Sequence, residues 1–236
     1  MTSRYRFNPL SELIRLIYPS TCCSCGKALV GDERHLCTHC LLHLPLAHFS
    51  SVADNLVERH FIGRIPLQSA TTLLVFRPEN IAQHIIHDIK YYGNRKLAIQ
   101  MGRILGAEIN ASGRFSDVDG IIPVPLHRRR MRQRGYNQSE LISIGISETF
   151  GRPVVSDQMI RTRYTQTQTH KNRSSRIENM EDVFQVKSPE KLKGRHLLLV
   201  DDVITSGATI ESCWRALSTI PDIKVSIASL SMAGIG

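Results

Sequence analysis

The sequence predicts an α/β protein in which helices flank a parallel sheet, preceded by a small cysteine-rich module. Three observations support this fold class. Strand-like and helix-like segments alternate from residue 69 onward, which is typical of a parallel sheet with helices on both faces. The apolar residues of "HLLLV" (196–200) run consecutively rather than alternating, which indicates a strand buried on both sides. Five of the six cysteines lie between residues 22 and 40.

The predicted elements follow in chain order. An amphipathic helix comes first, because Leu10, Leu13, Ile14 and Ile17 fall at helical spacing. We expect strands at residues 71–76, 119–126, 153–155, 195–202 and 225–232. We expect helices at residues 80–92, 95–109, 137–150 and 208–220, with Asn137 as the N-cap of the third. Residues 110–120 form a predicted loop, and residues 161–182 a loop or a mobile hairpin.

Composition limits the class of protein. The chain has 236 residues, 42% of them hydrophobic, and no apolar run approaches the roughly 18 residues of a membrane span. The N-terminus lacks the uninterrupted apolar core of a secretory signal, so we expect a cytoplasmic location. Thirty basic against twenty-one acidic residues indicate an anionic partner, either nucleic acid or a phosphorylated metabolite. A basic, soluble surface without a specific partner is the simpler alternative.

Four cysteines form two CxxC pairs separated by eleven residues: Cys22, Cys25, Cys37 and Cys40. Two such turns can direct four thiolates at one tetrahedral Zn²⁺, and four protein ligands make the site structural rather than catalytic. Disulfides and free buried thiols are the alternatives, and disulfides are rare in the cytoplasm. Cys23 has the wrong spacing to Cys25, while His35 and His39 are possible substitute ligands.

Two carboxylates, Asp201 and Asp202, stand between a predicted strand and a loop that leads into a predicted helix. Backbone N–H groups of such a loop and the helix dipole bind anions, and loop hydroxyls can donate to phosphate. The carboxylates would repel a phosphate, so we expect them to face ribose hydroxyls or Mg²⁺. The pattern therefore indicates a sugar phosphate at the carboxyl edge of the sheet, unless it is an ordinary turn with surface acids. The loop residues are Thr205, Ser206, Gly207, Ala208 and Thr209.

A basic segment, "PVPLHRRRMRQRGYNQSEL" (123–141), follows another predicted strand. It carries five arginines in seven residues: Arg128, Arg129, Arg130, Arg132 and Arg134. Guanidinium groups stay charged and bind phosphate bidentately. The segment is either a pyrophosphate-binding loop or a phosphate-tracking patch for nucleic acid, in which Tyr136 and His127 would stack on a base. A solvated basic turn accounts for some of the five arginines.

The segment "LLLVDDVITSGAT" (197–209) resembles the motif of type I phosphoribosyltransferases, which bind phosphoribosyl pyrophosphate (PRPP) with Mg²⁺. The basic segment, together with "RTRYTQTQTHKNRSSRIENMEDVF" (161–184) and "IKYYG" (89–93), resembles the ComF family of competence proteins, also called GntX-like. Members combine an N-terminal zinc knuckle with a phosphoribosyltransferase-like domain. The resemblance covers residues 20–236, with four motifs in the family's order.

The resemblance implies a type I phosphoribosyltransferase-like parallel sheet flanked by helices, with a small N-terminal zinc-binding module. We place the module and its helix at residues 1–60 and the larger domain at residues 61–236. The implied cofactors are a structural Zn²⁺ and Mg²⁺ with PRPP, and the implied catalytic acids are Asp201 and Asp202. The family's flexible loop, which closes over substrate, matches this chain at Arg163, Thr165, Gln168, Arg173, Arg176 and Asn179. Many relatives carry further CxxC pairs that residues 46–68 lack, which leaves at most one zinc site and leaves the fold of those residues open.

Two functions remain open at this point. The family implies a DNA-uptake factor in natural transformation that handles single-stranded DNA in the cytoplasm, with a helicase-like ATPase or a recombination mediator as partner. The alternative is an active phosphoribosyltransferase in nucleotide or base salvage, which would displace pyrophosphate from ribose C1 in a pentosyl transfer. The basic segment and the cysteines favour the first, whereas the intact PRPP loop supports the second.

Overall fold

The computed structural model describes residues 20–162 and 183–234 in two compact units, which divide between Leu44 and Pro45. The division comes earlier than the residue-60 boundary expected from the sequence. Residues 46–60 belong to the larger unit because they are tied to its first strand. The side chain of Asn55 donates a hydrogen bond to the carbonyl of Ala70 at 2.8 Å, and the N–H of Ala70 donates to the Glu58 carboxylate at 3.0 Å. The expected helix around Leu10 to Ile17 lies outside the described residues.

The first unit is organised by its two CxxC turns. In the first turn, Gly26 adopts φ +72°, and its N–H donates to the carbonyl of Cys22 at 2.9 Å. A positive φ favours glycine, as expected for a tight turn of this kind. The second turn opens a short helix, α1 (Thr38–Leu42), whose N-cap is Cys37.

The second unit contains a parallel sheet of β1 (Ala70–Phe76), β2 (Gly120–Pro123), β5 (His196–Ile204) and β6 (Lys224–Ala233). Among the described residues, the strand order is β1–β6–β5–β2, and all three pairings are parallel. The parallel sheet predicted from the sequence is therefore confirmed. β5 contains both acids as expected and extends two residues past its expected end at Asp202, to Ile204, and its register pairs Asp201 with Ser229 of β6.

Two shorter pairings differ from expectation. The predicted strand at residues 153–155 is reduced to an isolated parallel bridge between Val154 and Ile121. A hairpin-like antiparallel pair, β3 (Met159–Arg161) and β4 (Phe184–Val186), stands on either side of residues 163–182. Sequence patterns did not predict these two strands, because three residues are too few to display an alternation.

The helices of the second unit are α2 (Leu56–His60), α3 (Ile81–Tyr91), α4 (Arg95–Ser112), α5 (Arg128–Arg134), α6 (Gln138–Phe150) and α7 (Ala208–Leu217). Asparagine side chains cap four of them: Asn55 caps α2, Asn80 caps α3, Asn94 caps α4, and Asn137 caps α6 as predicted. α4 runs to Ser112, into the predicted loop, and ends at the left-handed Gly113. α5 replaces the expected basic loop or turn.

The sheet is covered on both faces. On one face, Leu197 and Leu199 of β5 belong to a buried cluster with Phe61 and with Ile210 and Cys213 of α7. α4 and α6 pack with the sheet and closely against each other. A Cβ at Gly145 of α6 would lie 2.1 Å from the carbonyl oxygen of Ile99, and one at Gly102 of α4 would lie 2.2 Å from that of Ile142. No helix in residues 20–162 or 183–234 has the length and apolar character needed to cross a membrane.

Candidate functional site

Asp201 and Asp202 lie within the carboxyl-terminal part of β5. Oδ1 of Asp201 accepts hydrogen bonds from the Ser139 hydroxyl at 3.2 Å and from the backbone N–H of Asp202 at 2.8 Å. Burial, and then the negative charge of Asp202, raise the pKa of Asp201 to about 7. Asp202 is paired with Lys90 of α3, whose Nζ lies 3.1 Å from Oδ2. The site therefore holds one carboxyl group that titrates near neutral pH and one that is paired with a cation.

Residues 205–207 connect β5 to α7, and Ala208 and Thr209 lie in the first turn of that helix. Gly207 is the N-cap of α7 and adopts a left-handed conformation, φ +78°. A Cβ at this position would lie 2.7 Å from Cε1 of Phe61, so the position requires glycine for both its backbone and its space. Glycine offers no capping side chain, and the positive end of the α7 dipole faces the loop. This combination suits an anion.

A cavity of about 140 Å³ lies where these elements meet. Its wall contains both acids and Thr209, the end of the predicted phosphate loop, together with the hydroxyl-bearing Ser139 and the amide-bearing Asn137. Four cationic side chains line it as well: Lys90, Arg130, Arg134 and Arg161. Thr205, Ser206, Gly207 and Ala208 precede Thr209 in the loop and do not themselves line this cavity. The arrangement offers carboxylates and guanidinium groups to one small ligand.

The five predicted arginines divide between two faces of α5. Arg130 and Arg134 are four residues apart, hence on one face, and both line the cavity. The other three are exposed on the opposite face: Arg128, Arg129 and Arg132. His127 caps the helix, its Nδ1 accepting from the N–H of Arg129 at 3.2 Å. The segment is therefore a helix that presents two arginines to the cavity and three to solvent.

A wider groove of about 550 Å³ adjoins the cavity. Lys90, Arg130 and Arg134 line both spaces, so the two are continuous. Tyr91 lines the groove and is 67% exposed, and the neighbouring Tyr92 is 75% exposed. The guanidinium of Arg134 lies 5.7 Å from the centre of the Tyr91 ring. The groove therefore combines aromatic rings with cations.

Tyr136 does not have the role expected of it. Its side chain is buried, its hydroxyl donates a hydrogen bond to the carbonyl of Ile89, and the guanidinium of Arg95 lies 5.0 Å from the centre of its ring. Tyr136 lines the groove, but its side chain is only 8% exposed, which leaves little of the ring for a base. The exposed aromatic ring among the lining residues is Tyr91 of the "IKYYG" segment.

Several residues that line the cavity were not chosen as candidate site residues from the sequence. The sequence points to Lys90 only through its place in the family motif "IKYYG", and its pairing with Asp202 depends on the tertiary fold. Arg161 gave no signal; it ends β3, its guanidinium lies 5.3 Å from the centre of the Phe184 ring, and burial followed by the charge of Arg130 lowers its pKa. The residues assigned to a flexible loop lie outside the described residues: Arg163, Thr165, Gln168, Arg173, Arg176 and Asn179.

The first unit brings together the four predicted cysteines Cys22, Cys25, Cys37 and Cys40, whose sulfur atoms all lie within 4.8 Å of one another. A tetrahedral Zn²⁺ with Zn–S bonds of about 2.3 Å separates its sulfurs by about 3.8 Å, and the Cys25–Cys37 distance is 3.7 Å. The set therefore fits a zinc ion. Cys23 and His39 are not part of the cluster, and the ring of His39 stacks on that of His43.

Two of these thiols have strongly shifted acidity. Burial alone would raise the pKa of Cys22, but backbone N–H groups of Cys25, Cys37 and Ser24 lower it to about 6. Burial and the neighbouring thiols raise the pKa of Cys40 to about 12. A cation among the four sulfurs would favour the thiolate at every position.

Known proteins resemble this chain in sequence. A family model described as a phosphoribosyl transferase domain matches residues 143–230, which include both acids and the phosphate loop. The DNA utilization protein YhgH of Escherichia coli K12 is 30% identical over 192 residues, 80% of this chain and 80% of that protein. The chain belongs to the ComF/GntX family. Another member, Competence protein F of Haemophilus influenzae, is 32% identical over 116 residues, 49% of this chain and 51% of its own length.

Solved structures resemble the domain more distantly. The purine phosphoribosyltransferase from Pyrococcus horikoshii gives a TM-score of 0.37 at 17% identity, covering 57% of this chain and 73% of that one. For this ComF/GntX family member, the strand order, the matched family model and the four-cysteine cluster together establish a phosphoribosyltransferase-type parallel sheet with a possible zinc module.

Proposed function

We propose that the chain is a DNA-uptake factor whose phosphoribosyltransferase-like domain binds PRPP with Mg²⁺ and handles single-stranded DNA in the cytoplasm. The observation that carries the proposal is the cavity at the carboxyl edge of the sheet, in which two acids, Thr209 of the phosphate loop and four cations meet. The names of its relatives, a DNA utilization protein and a competence protein, support the connection to DNA. A helicase-like ATPase or a recombination mediator is the protein partner that we propose.

Each part of PRPP has a counterpart in the cavity. The 5′-phosphate would bind residues 205–209 and the N-terminus of α7, where N–H groups and the helix dipole favour an anion. Asp201 and Asp202 would accept hydrogen bonds from the ribose hydroxyls and hold Mg²⁺, which prefers carboxylate oxygens. Arg130, Arg134 and Arg161 would bind the pyrophosphate bidentately. When bound, Mg²⁺ would supply further positive charge for the pyrophosphate.

The groove beside the cavity suits single-stranded DNA. Single-strand binders combine cations that follow the phosphates with aromatic rings on which bases stack. Tyr91 is the exposed ring that lines the groove, Tyr92 is the exposed ring next to it in the sequence, and Arg130 and Arg134 are cations of the lining. The outward arginines of α5 extend the positive surface away from the cavity. We propose that the strand lies along this groove and that Zn²⁺ holds the first unit in its fold.

An active phosphoribosyltransferase is the second candidate. Such an enzyme stabilises an oxocarbenium-like transition state through the groups that bind pyrophosphate and through the acids beside the ribose. The intact pair of acids and the matched family model favour it. The pair would then be catalytic, and an acceptor base or ammonia would attack ribose C1 as pyrophosphate leaves.

The variant Asp201→Asn/Asp202→Asn tests the proposal. PRPP affinity, oligonucleotide affinity, pyrophosphate release with a panel of nucleobases and ammonia, and transformation frequency are measured for wild type and variant. Asp157→Asn, in an exposed turn, serves as the control. We expect PRPP binding and transformation to fall together while the control keeps both. Transformation that persists without PRPP binding would contradict a role for PRPP in DNA uptake, and pyrophosphate release by the wild type would favour the second candidate.

A further inference from the structure

Arg64 lies against the phosphate loop, on a segment whose fold the sequence left open. Its Nη2 donates to the carbonyl oxygen of Ser206 at 2.6 Å, and its Nε pairs with the carboxylate of Glu211. Nη1 lies 2.9 Å from Nε2 of His60, and the guanidinium packs over the ring of Phe61, 5.5 Å from its centre. One side chain thus joins α2 and the segment after it to the loop and to α7.

Glu211 creates an electrostatic difficulty for a phosphate site. It lies in the first turn of α7, the turn whose N–H groups and positive dipole would attract the 5′-phosphate. An unpaired carboxylate in this turn would repel that phosphate. Arg64 removes the difficulty, because its guanidinium neutralises the carboxylate. The two side chains are 32% and 22% exposed, so solvent screens the pair less than a fully exposed one.

The bond to Ser206 fixes the orientation of the loop. The carbonyl of Ser206 and the N–H of Gly207 belong to the same trans peptide and therefore point in opposite directions. Because Arg64 holds the carbonyl on its own side, the N–H of Gly207 is directed away from Arg64. Phe61 lies close to the same peptide, since a Cβ at Gly207 would lie 2.7 Å from Cε1 of its ring. Orientation of this peptide before ligand binding reduces the entropic cost of forming the phosphate contacts.

We propose that Arg64 is a positioning residue of the phosphate loop, acting by neutralising Glu211 and by orienting the Ser206–Gly207 peptide. The inference rests on the proposed PRPP site and adds to it a part of the chain outside the phosphoribosyl transferase match. Arg64 acts through the loop and touches no ligand itself. Its loss is therefore expected to weaken ligands that carry a phosphate on this loop.

Ribose 5-phosphate is the probe, because it presents the 5′-phosphate without pyrophosphate. Its affinity is measured calorimetrically for wild type and for Arg64→Gln, Arg64→Lys, Glu211→Gln and Arg64→Gln/Glu211→Gln, with unfolding temperature recorded for each. We expect Arg64→Gln to weaken binding about three- to tenfold, the size of effect that a charge near a helix terminus exerts. The affinity of Arg64→Lys for ribose 5-phosphate should fall between those of the wild type and Arg64→Gln, because lysine keeps the charge and loses the planar fork. Glu211→Gln should bind as well as wild type or better.

The double variant separates positioning from a general loss of stability. It removes the repulsive carboxylate along with its partner, so it should bind ribose 5-phosphate at least about threefold more tightly than Arg64→Gln alone. A double variant no tighter than Arg64→Gln, or an Arg64→Gln variant with wild-type affinity, would overturn the inference. Arg103→Gln is the matched control, since Arg103 pairs with Glu148 between α4 and α6, away from the loop. If the wild type itself binds no ribose 5-phosphate, the PRPP proposal fails instead.

Discussion

Lys90 and Asp202 form an ion pair across the candidate site, with Nζ of the lysine 3.1 Å from Oδ2 of the aspartate. The lysine ends α3, and the aspartate belongs to β5, so the pair connects the groove to the sheet. Each partner has a proposed use in ligand binding: the cation for pyrophosphate, the anion for ribose and Mg²⁺. The pair keeps both charges balanced until a ligand separates them.

Lys90→Met should weaken PRPP binding about tenfold, because it removes a cation from the cavity and leaves Asp202 beside Asp201 without a counter-charge. The dissociation constant of PRPP with Mg²⁺ is the measurement. Lys96→Met, on the exposed surface of α4, is the control with the same change of charge. Equal losses in the two variants would indicate that only overall charge matters.

Asp201→Asn should stabilise the fold while it weakens PRPP binding. Burial and Asp202 raise the pKa of Asp201 to about 7 in the folded protein, above the value near 4 of an unfolded chain. The folded state therefore binds the proton more tightly, and stability falls as pH rises from about 4 to about 7. At pH 8 the full cost is present, so the variant should gain on the order of 4 kcal/mol there, about three pKa units at about 1.36 kcal/mol each. This gain in the free energy of unfolding should disappear near pH 4. An equal gain at pH 4 and at pH 8 would show that it does not come from the titration of Asp201.

The pKa of Asp201 also predicts a pH dependence of ligand binding. Mg²⁺ requires the carboxylate form, so PRPP affinity in the presence of Mg²⁺ should fall as pH decreases below about 7. Binding titrations between pH 5.5 and 8.5 check this. In the variant Asp201→Asn, PRPP affinity should no longer depend on pH in this range. If the variant keeps the pH profile of the wild type, a group other than Asp201 is responsible for it.

PRPP and single-stranded DNA should compete. Lys90, Arg130 and Arg134 line both the cavity and the groove, so a ligand that engages them in one space withdraws them from the other. We expect saturating PRPP to weaken oligo-dT binding about tenfold, with a reciprocal effect of DNA on PRPP. Tyr91→Ala should weaken oligo-dT by about 1–3 kcal/mol through lost stacking and leave PRPP affinity unchanged. Simultaneous, independent binding of both ligands would contradict the shared cations.

Chelation should destabilise the first unit selectively. Removal of a metal held by the four cysteines would leave thiolates of like charge within 4.8 Å of one another. We expect about one zinc per purified chain, and loss of it in Cys37→Ser and Cys40→Ser. Cys23→Ser, which changes a cysteine outside the cluster, should retain the metal. A zinc content far below one in the wild type would exclude the site.

The sheet could be predicted from the sequence because strand-like and helix-like segments alternate and because β5 contains an uninterrupted apolar run, Leu197 to Val200. Asn137 marked the start of α6, whereas the end of α4 at Gly113 fell inside the predicted loop. α5 could not be predicted in the same way. Its seven residues include five arginines and no apolar periodicity, and only the His127 cap and the left-handed Gly135 delimit it.

The site was predictable only in part. The acids and the phosphate loop are contiguous in sequence, so one motif reveals them, whereas Lys90 and Arg161 reach the cavity through the tertiary fold. Arg64 was harder still to anticipate. It follows α2, a five-residue helix in a segment held by tertiary hydrogen bonds such as those from Asn55 to Ala70 and Val52. Local patterns carry no information on such bonds.

The pairing of Asp201 with Ser229 inside the sheet has a consequence for how the site responds to its ligand. Backbone groups in a ladder have already lost their conformational freedom when the chain folds. The acids therefore form a fixed surface, and the ordering that accompanies binding falls on the long side chains of Lys90, Arg130 and Arg134. Tuning affinity in this protein would then depend on the contacts that hold these cations, such as the pairing of Lys90 with Asp202, rather than on the position of two acids.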